Sequence, residues 1–142
     1  MAGNEHPYLS EYEFDLLSIQ RGSLNNHERK EIESHVIHSY EFLKNIPWTS
    51  TMQNVPAISR SHHEILTGKG YPDGLSGEEI PFASKMMMIA DLFDALTASD
   101  RPYKKALTKE QALEILKKEA DEGKVDGELV SIFIKDKVFA LK

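Results

Sequence analysis

Cysteine is absent from the 142 residues, which excludes a disulfide framework and any thiolate metal site and fits a reducing, cytoplasmic compartment. A metal ion, if held, must sit on nitrogen and oxygen. Long apolar runs are also missing. The most apolar segment, MMMIADLFDALTA, is interrupted by Asp91 and Asp94, and the N-terminus MAGNEHPYLSEYEF has no basic region followed by an apolar stretch, so neither a membrane span nor a signal peptide is expected. Positive charge is scarce. Lys and Arg number 17 against 23 Asp and Glu, giving a formal net charge of −6. That balance argues against broad attraction to a nucleic acid polymer or an anionic membrane, so an anionic substrate would have to be met by a local cluster such as Arg101, Lys104 and Lys105.

The length, with 40% apolar residues, suits one domain with its own core. Residues 1–9 read as a flexible polar start or a cloning remnant, and 10–142 as the domain. Ser10 with Glu13 has the form of a capping box, and Gly22 supplies a stop, so a first helix is expected over about 11–20. Asn25 with Glu28 repeats the signature. Ile32, Val36, Leu43 and Ile46 then fall on one side of a long helix that Pro47 ends. Pro56 suits a first-turn position, and Ile58, His62 and Ile65 share a stripe of a third helix ending near Leu66. Residues 67–81 carry too many glycines and prolines for a regular element. The next helix, from about Pro81 through Thr97, is apolar almost all round and is expected to be buried on several sides. Thr108 with Gln111 opens another helix that stops at Gly123, and a last one covers about 127–135. No strand pattern competes with this all-α reading.

Chemistry concentrates in few places. His35 projects beside the Ile32, Val36, Leu43 stripe and is expected to face inward, whereas His38 falls about 60° further round. A lone histidine there reads first as a core residue satisfied by a backbone carbonyl. His62 and His63 are adjacent, and on a helix neighbours point about 100° apart, so the pair suits two ions, or one ion and one anion, better than a single ion. A buried histidine beside a surface one is the plain alternative. Asp91 lies inside MMMIADLF, where a buried carboxylate must meet a cation or several donors. Asp94 suits orienting a ligand or joining it, and equally pairing with Arg101 or Lys104. Mixed imidazole and carboxylate donors favour Fe, Mn, Zn or Ni over Ca or Cu(I). The three consecutive methionines cover most of a helix circumference and read as packing.

The motif HHE-x-x-x-G-x-GYP-x-GL-x-G-x-x-IP over His62 to Pro81, followed by AD-x-x-DALT and RPYKKA, resembles the HD-GYP branch of the HD metal-dependent phosphohydrolases. The resemblance spans about residues 10–135. It implies an all-α, HD-domain-like helical bundle, incomplete on its N-terminal side, that hydrolyses cyclic di-GMP at a divalent transition-metal centre. By the same resemblance His35, His62, His63 and Asp91 match metal ligands, and Arg101 and Lys104 match phosphate contacts. Gly70, Tyr71 and Pro72 form the loop that helps shape the substrate pocket, while Glu64 reads as a supporting group rather than a base. An upstream sensor domain, diguanylate cyclase partners and a homodimer are further expectations. Two departures stand out. The His-Asp dipeptide that names the family occurs at none of the six histidines, so the resemblance reads the chain as the C-terminal portion of the domain, inactive by itself, over a degenerate signalling or interaction module. In addition, Ala98, Ser99 and Asp100 place one extra residue before Arg101, and Thr67 stands where the family usually has Asp or Asn.

Overall fold

Six α-helices and two short 3-10 turns make up the regular structure among the described residues, which are 8, 10, 13, 14, 17, 18, 24–98 and 106–140 of a computed structural model. Among these residues the only β-type pairing is an isolated bridge between Thr67 and Ser76. The all-α expectation therefore holds. The chain divides into two compact units, Met1–His35 and Val36–Lys142.

In the first unit Ser10 and Glu13 exchange their capping bonds, with Ser10 N–H donating to Glu13 Oε2 at 2.8 Å and Glu13 N–H to Ser10 Oγ at 3.2 Å. Much of the helix expected over 11–20, with its stop at Gly22, lies outside the described residues. Helix α1, Asn26–Glu33, begins at the predicted box: the Asn25 side chain accepts from Glu28 N–H at 2.9 Å, and Glu28 returns the bond to Asn25 N–H at 2.8 Å. The single long helix expected up to Pro47 is divided at Ser34, whose hydroxyl donates to the Glu31 carbonyl at 2.6 Å. A serine that binds its own backbone in this way competes with the helical ladder. Ile32, assigned to the inward stripe, is exposed.

The second unit carries α2 (His35–Leu43), α3 (Val55–Ser61), α4 (Phe82–Thr97), α5 (Lys109–Asp121) and α6 (Gly127–Lys135). The unit boundary lies between His35 and Val36, inside α2. Trp48 Nε1–H donates to the Leu43 carbonyl at 2.8 Å and satisfies the end of α2. The core lies among α4, α5 and α6, where Met88, Ile89, Phe93, Ala112, Leu116, Val130 and Phe133 are buried with Ile80 and Val125. Phe93, Phe133 and Phe139 form an aromatic trio with centroids 5.4–5.9 Å apart, a spacing that favours offset and edge contacts. The Thr108–Gln111 box opens α5 as expected, and Gly123, with φ of 69°, turns the chain toward α6.

Helix α4 departs from the expectation of burial on several sides. Ser84, Lys85, Met88, Ile89 and Phe93 are buried, but Met86, Met87, Asp91 and Asp94 are exposed. One face of α4 packs on α5 and α6 while the opposite face of an apolar sequence remains open, together with Ile132 of α6. Helix α3 joins α4 through a buried hydrogen bond between the hydroxyls of Ser61 and Ser84 at 2.8 Å. That bond fixes the end of α3 against the helix that carries Asp91.

Candidate metal centre

Helix α3 ends at Ser61, earlier than the apolar periodicity suggested, with His62 as its C-cap and His63 in the turn that follows. This shorter helix changes the geometry of the histidine pair. The expected divergence of about 100° applies to neighbours within a helix, whereas here the rings have left it and lie 4.1 Å apart, centroid to centroid. His35, His62 and His63 each offer a ring nitrogen within 4.8 Å of the other two. Ligand atoms about 2.0–2.1 Å from one ion lie up to about 4.2 Å apart, so closing this set around an ion takes only small ring movements.

The orientation of the rings supports the same chemistry. His35 Nδ1 is 2.6 Å from the Ile32 carbonyl, and His62 Nδ1 is 2.7 Å from the Ser59 carbonyl. A ring nitrogen on a carbonyl oxygen carries the proton, which leaves the lone pair of the neutral imidazole on Nε2. Metal-ligating histidines are held in this way. His62 is buried, but His35 is exposed, contrary to the inward placement expected from its stripe, because the break at Ser34 ends the helix on which that stripe was drawn. Asp91 is also exposed, its side chain retaining 49% of its accessible surface, and its Oδ2 lies 3.9 Å from His63 Nδ1. Burial therefore does not compel a cation at Asp91; its claim as a ligand rests on proximity to His63.

The Gly-Tyr-Pro loop is built onto the histidine pair. The Tyr71 ring stacks on His63 with centroids 4.9 Å apart, and Tyr71 N–H donates to the His63 carbonyl at 3.2 Å. The Tyr71–Pro72 peptide is cis. Gly70 lies so close to the backbone of Glu64 and Ile65 that no side chain fits there. Glu64 is fully buried, and its carboxylate accepts from Asp73 N–H at 2.7 Å and from Leu75 N–H at 2.9 Å. Leu66 N–H donates to the Lys124 carbonyl and Gly77 N–H to the Leu66 carbonyl, so the loop is tied at both ends. Arg60, which sequence reasoning passed over, forms a fork on Asp73 with two bonds of 2.7 Å and sits over the Tyr40 ring at 5.2 Å. Its partner is 13 residues away, beyond any helical spacing. Arg101 and Lys104 lie outside the described residues. Asp94 is exposed on α4.

A family model described as an HD domain matches residues 14–129. The chain belongs to the HD-domain family. Among its relatives, the cyclic di-GMP phosphodiesterase response regulator RpfG of Xanthomonas campestris is 38% identical over 102 residues, covering 72% of this chain and 26% of that protein. The 3'3'-cGAMP-specific phosphodiesterase 3 of Vibrio cholerae is 34% identical over 95 residues, covering 67% of this chain and 20% of the relative. A cyclic di-GMP phosphodiesterase of Thermotoga maritima is 33% identical over 124 residues, covering 85% and 32%. The chain thus spans about a fifth to a third of the length of these relatives. With its Gly-Tyr-Pro loop, it is an HD-GYP-like protein of this metal-dependent family.

The Arg60 fork gives the loop a defined pH response. The side-chain hydrogen bond from Arg60 is the largest influence on the Asp73 carboxyl and holds it below its ordinary value; burial opposes this more weakly. A depressed carboxylate stabilises the fold above its unfolded value, about 3.9, and loses that contribution as pH falls through the lower folded value. The Asp73 side chain is 37% exposed, so screening keeps the effect below about 1 kcal/mol. Urea midpoints of the wild type and Asp73→Asn should differ at pH 7 and pH 5 and converge near pH 2. A difference that persists to pH 2 would separate the loss from the carboxylate charge.

Proposed function

We propose that the chain provides the histidine-rich wall and substrate loop of a cyclic di-GMP phosphodiesterase site, with His35, His62, His63 and Asp91 as ligands of a divalent ion such as Fe, Mn, Zn or Ni. The observation that carries this reading is the triad of imidazoles, two of them oriented by backbone carbonyls. The relatives' printed activities support the cyclic dinucleotide class. A bound divalent ion supplies polarisation of the phosphodiester and acidification of a water molecule. The chain's own residues do the rest. Ser59 and Ile32 carbonyls hold the imidazole tautomers, Tyr71 sets the plane of the His63 ring, and Gly70 to Pro72 form the wall against which the dinucleotide lies. Arg101 and Lys104 complete the phosphate contacts.

The lack of a His-Asp dipeptide favours low activity of this chain by itself and supports a second reading, a signalling or interaction module without turnover. Both are decided by one preparation. Protein dialysed after loading with Mn2+, Fe2+, Zn2+ or Ni2+ should retain less than one ion per chain, and His62→Ala should lower that uptake at least tenfold. Cyclic di-GMP should be cleaved slowly or not at all until a helix bearing His-Asp is supplied, with 3'3'-cGAMP as the competing substrate. No metal uptake, or uptake indifferent to His62→Ala, would refute the ligand assignment. Two or more ions retained together with brisk hydrolysis would refute the need for the dyad.

An upstream sensor domain and diguanylate cyclases remain the partners of this reading, in the cytoplasm, and the homodimer rests on the open apolar face of α4 and α6. Met86, Met87, Ile132 and Val138 line an apolar groove of about 310 Å³ there, and a symmetric pair covers such a face with its own copy. Light scattering should give twice the chain mass at high concentration, and Met87→Glu should return it to one.

A further inference from the structure

We propose that Arg60 and Glu64 are positioning residues that clamp Asp73 from two sides and thereby hold the Gly-Tyr-Pro loop against His63. The two residues flank the histidine pair in the chain, one two places before His62 and the other immediately after His63. Both fasten on the same residue of the loop: Arg60 grips the Asp73 side chain with a fork of 2.7 Å bonds, and Glu64 accepts the Asp73 backbone N–H at 2.7 Å. Between these anchors the chain must close back on itself, and it does so with Tyr71 stacked on His63 and Tyr71 N–H bonded to the His63 carbonyl.

The geometry assigns different work to the two anchors. Glu64 is buried and fixes the backbone of the loop, whereas Arg60 is part-exposed and fixes its rotation about that backbone. Arg60 is itself braced by the Tyr40 ring of α2, the helix that His35 opens. A guanidinium fork has one preferred geometry, and lysine cannot reproduce it. The clamp therefore depends on the shape of arginine as well as its charge.

The test uses the whole chain with Arg60→Lys, Asp73→Asn and the double variant. Amide hydrogen exchange at Asp73 and Leu75 and the NMR shift of the His63 ring protons are followed without metal; Zn2+ affinity by competition is a separate arm that rests on the metal reading above. Each single variant should exchange both amides about three- to fivefold faster, as expected for losing a part-exposed ion pair. The global urea midpoint should fall only by the small amount expected at neutral pH for Asp73→Asn, and the His63 ring resonances should shift as Tyr71 loosens. The double variant should be no worse than either single one, since both remove the same fork. Zn2+ affinity should fall in parallel. Unchanged exchange and ring shifts in the single variants, or additive losses in the double variant, would overturn the clamp. If the wild type takes up no Zn2+, the metal reading fails, while exchange and ring shifts still decide the clamp.

Discussion

Glu64→Ala is expected to destabilise the chain by about 2–4 kcal/mol, a large part of the stability of a domain this size. The wild-type carboxylate is fully buried and accepts two backbone N–H groups of the loop, from Asp73 and Leu75. Removing it deletes two charge-assisted bonds, takes the acceptor from both loop donors and leaves a void at a fully buried position. Loss of the buried charge offsets part of this, since the carboxylate no longer has to be desolvated. Glu64→Gln should cost less than Ala, because an amide oxygen still accepts one of the two bonds but its NH2 cannot accept the other. Denaturant midpoints should therefore order wild type, Gln, Ala. Equal stability of Ala and wild type would mean that the loop is held without Glu64. A carboxylate committed to two backbone donors is also a poor general base, which agrees with its reading as a supporting group.

Features that depend on near neighbours in the chain were legible beforehand. The boxes at Ser10, Asn25 and Thr108 pair residues three apart, and each forms in the structure; α4 starts beside Pro81 and α6 covers 127–135, as the pattern suggested. Features that depend on distant partners were not. Arg60 and Asp73 are separated by a loop whose path no periodicity predicts, and Ser34 looks like any other helical position until its hydroxyl turns on the backbone. The convergence of His62 and His63 was misjudged because the apolar pattern through Ile65 extended α3 past its true end. The composition of α4 suggests burial for Asp91, yet an apolar helix face is covered only where another element reaches it, and Asp91 is exposed. The motif points to the histidines, but the carbonyl partners that orient the rings of His35 and His62 are not displayed by the sequence.

Gly70→Ala is expected to cost about 3 kcal/mol or more and to separate the loop from the histidine pair. A Cβ at this position would lie 2.5 Å from the Glu64 Cα and 2.6 Å from its carbonyl carbon, with the Ile65 nitrogen nearer still. All three are backbone atoms, so no rotamer change relieves the overlap, and overpacking of this kind is absorbed only by moving the chain. Movement of the loop lengthens the Tyr71 N–H bond to the His63 carbonyl, now 3.2 Å, and pulls the Tyr71 ring off His63. Gly74→Ala is the matching control. Gly74 has φ of 69°, and a Cβ there meets nothing closer than the Gly68 carbonyl oxygen at 3.6 Å, so its cost is the backbone strain alone, about 1 kcal/mol. Thermal unfolding should rank wild type, Gly74→Ala and Gly70→Ala in falling order, and only Gly70→Ala should shift the His63 ring resonances. If Gly74→Ala proves the more damaging, loop conformation outweighs close approach, and the third glycine of the loop rather than the one before Tyr71 is what seats it on the histidines.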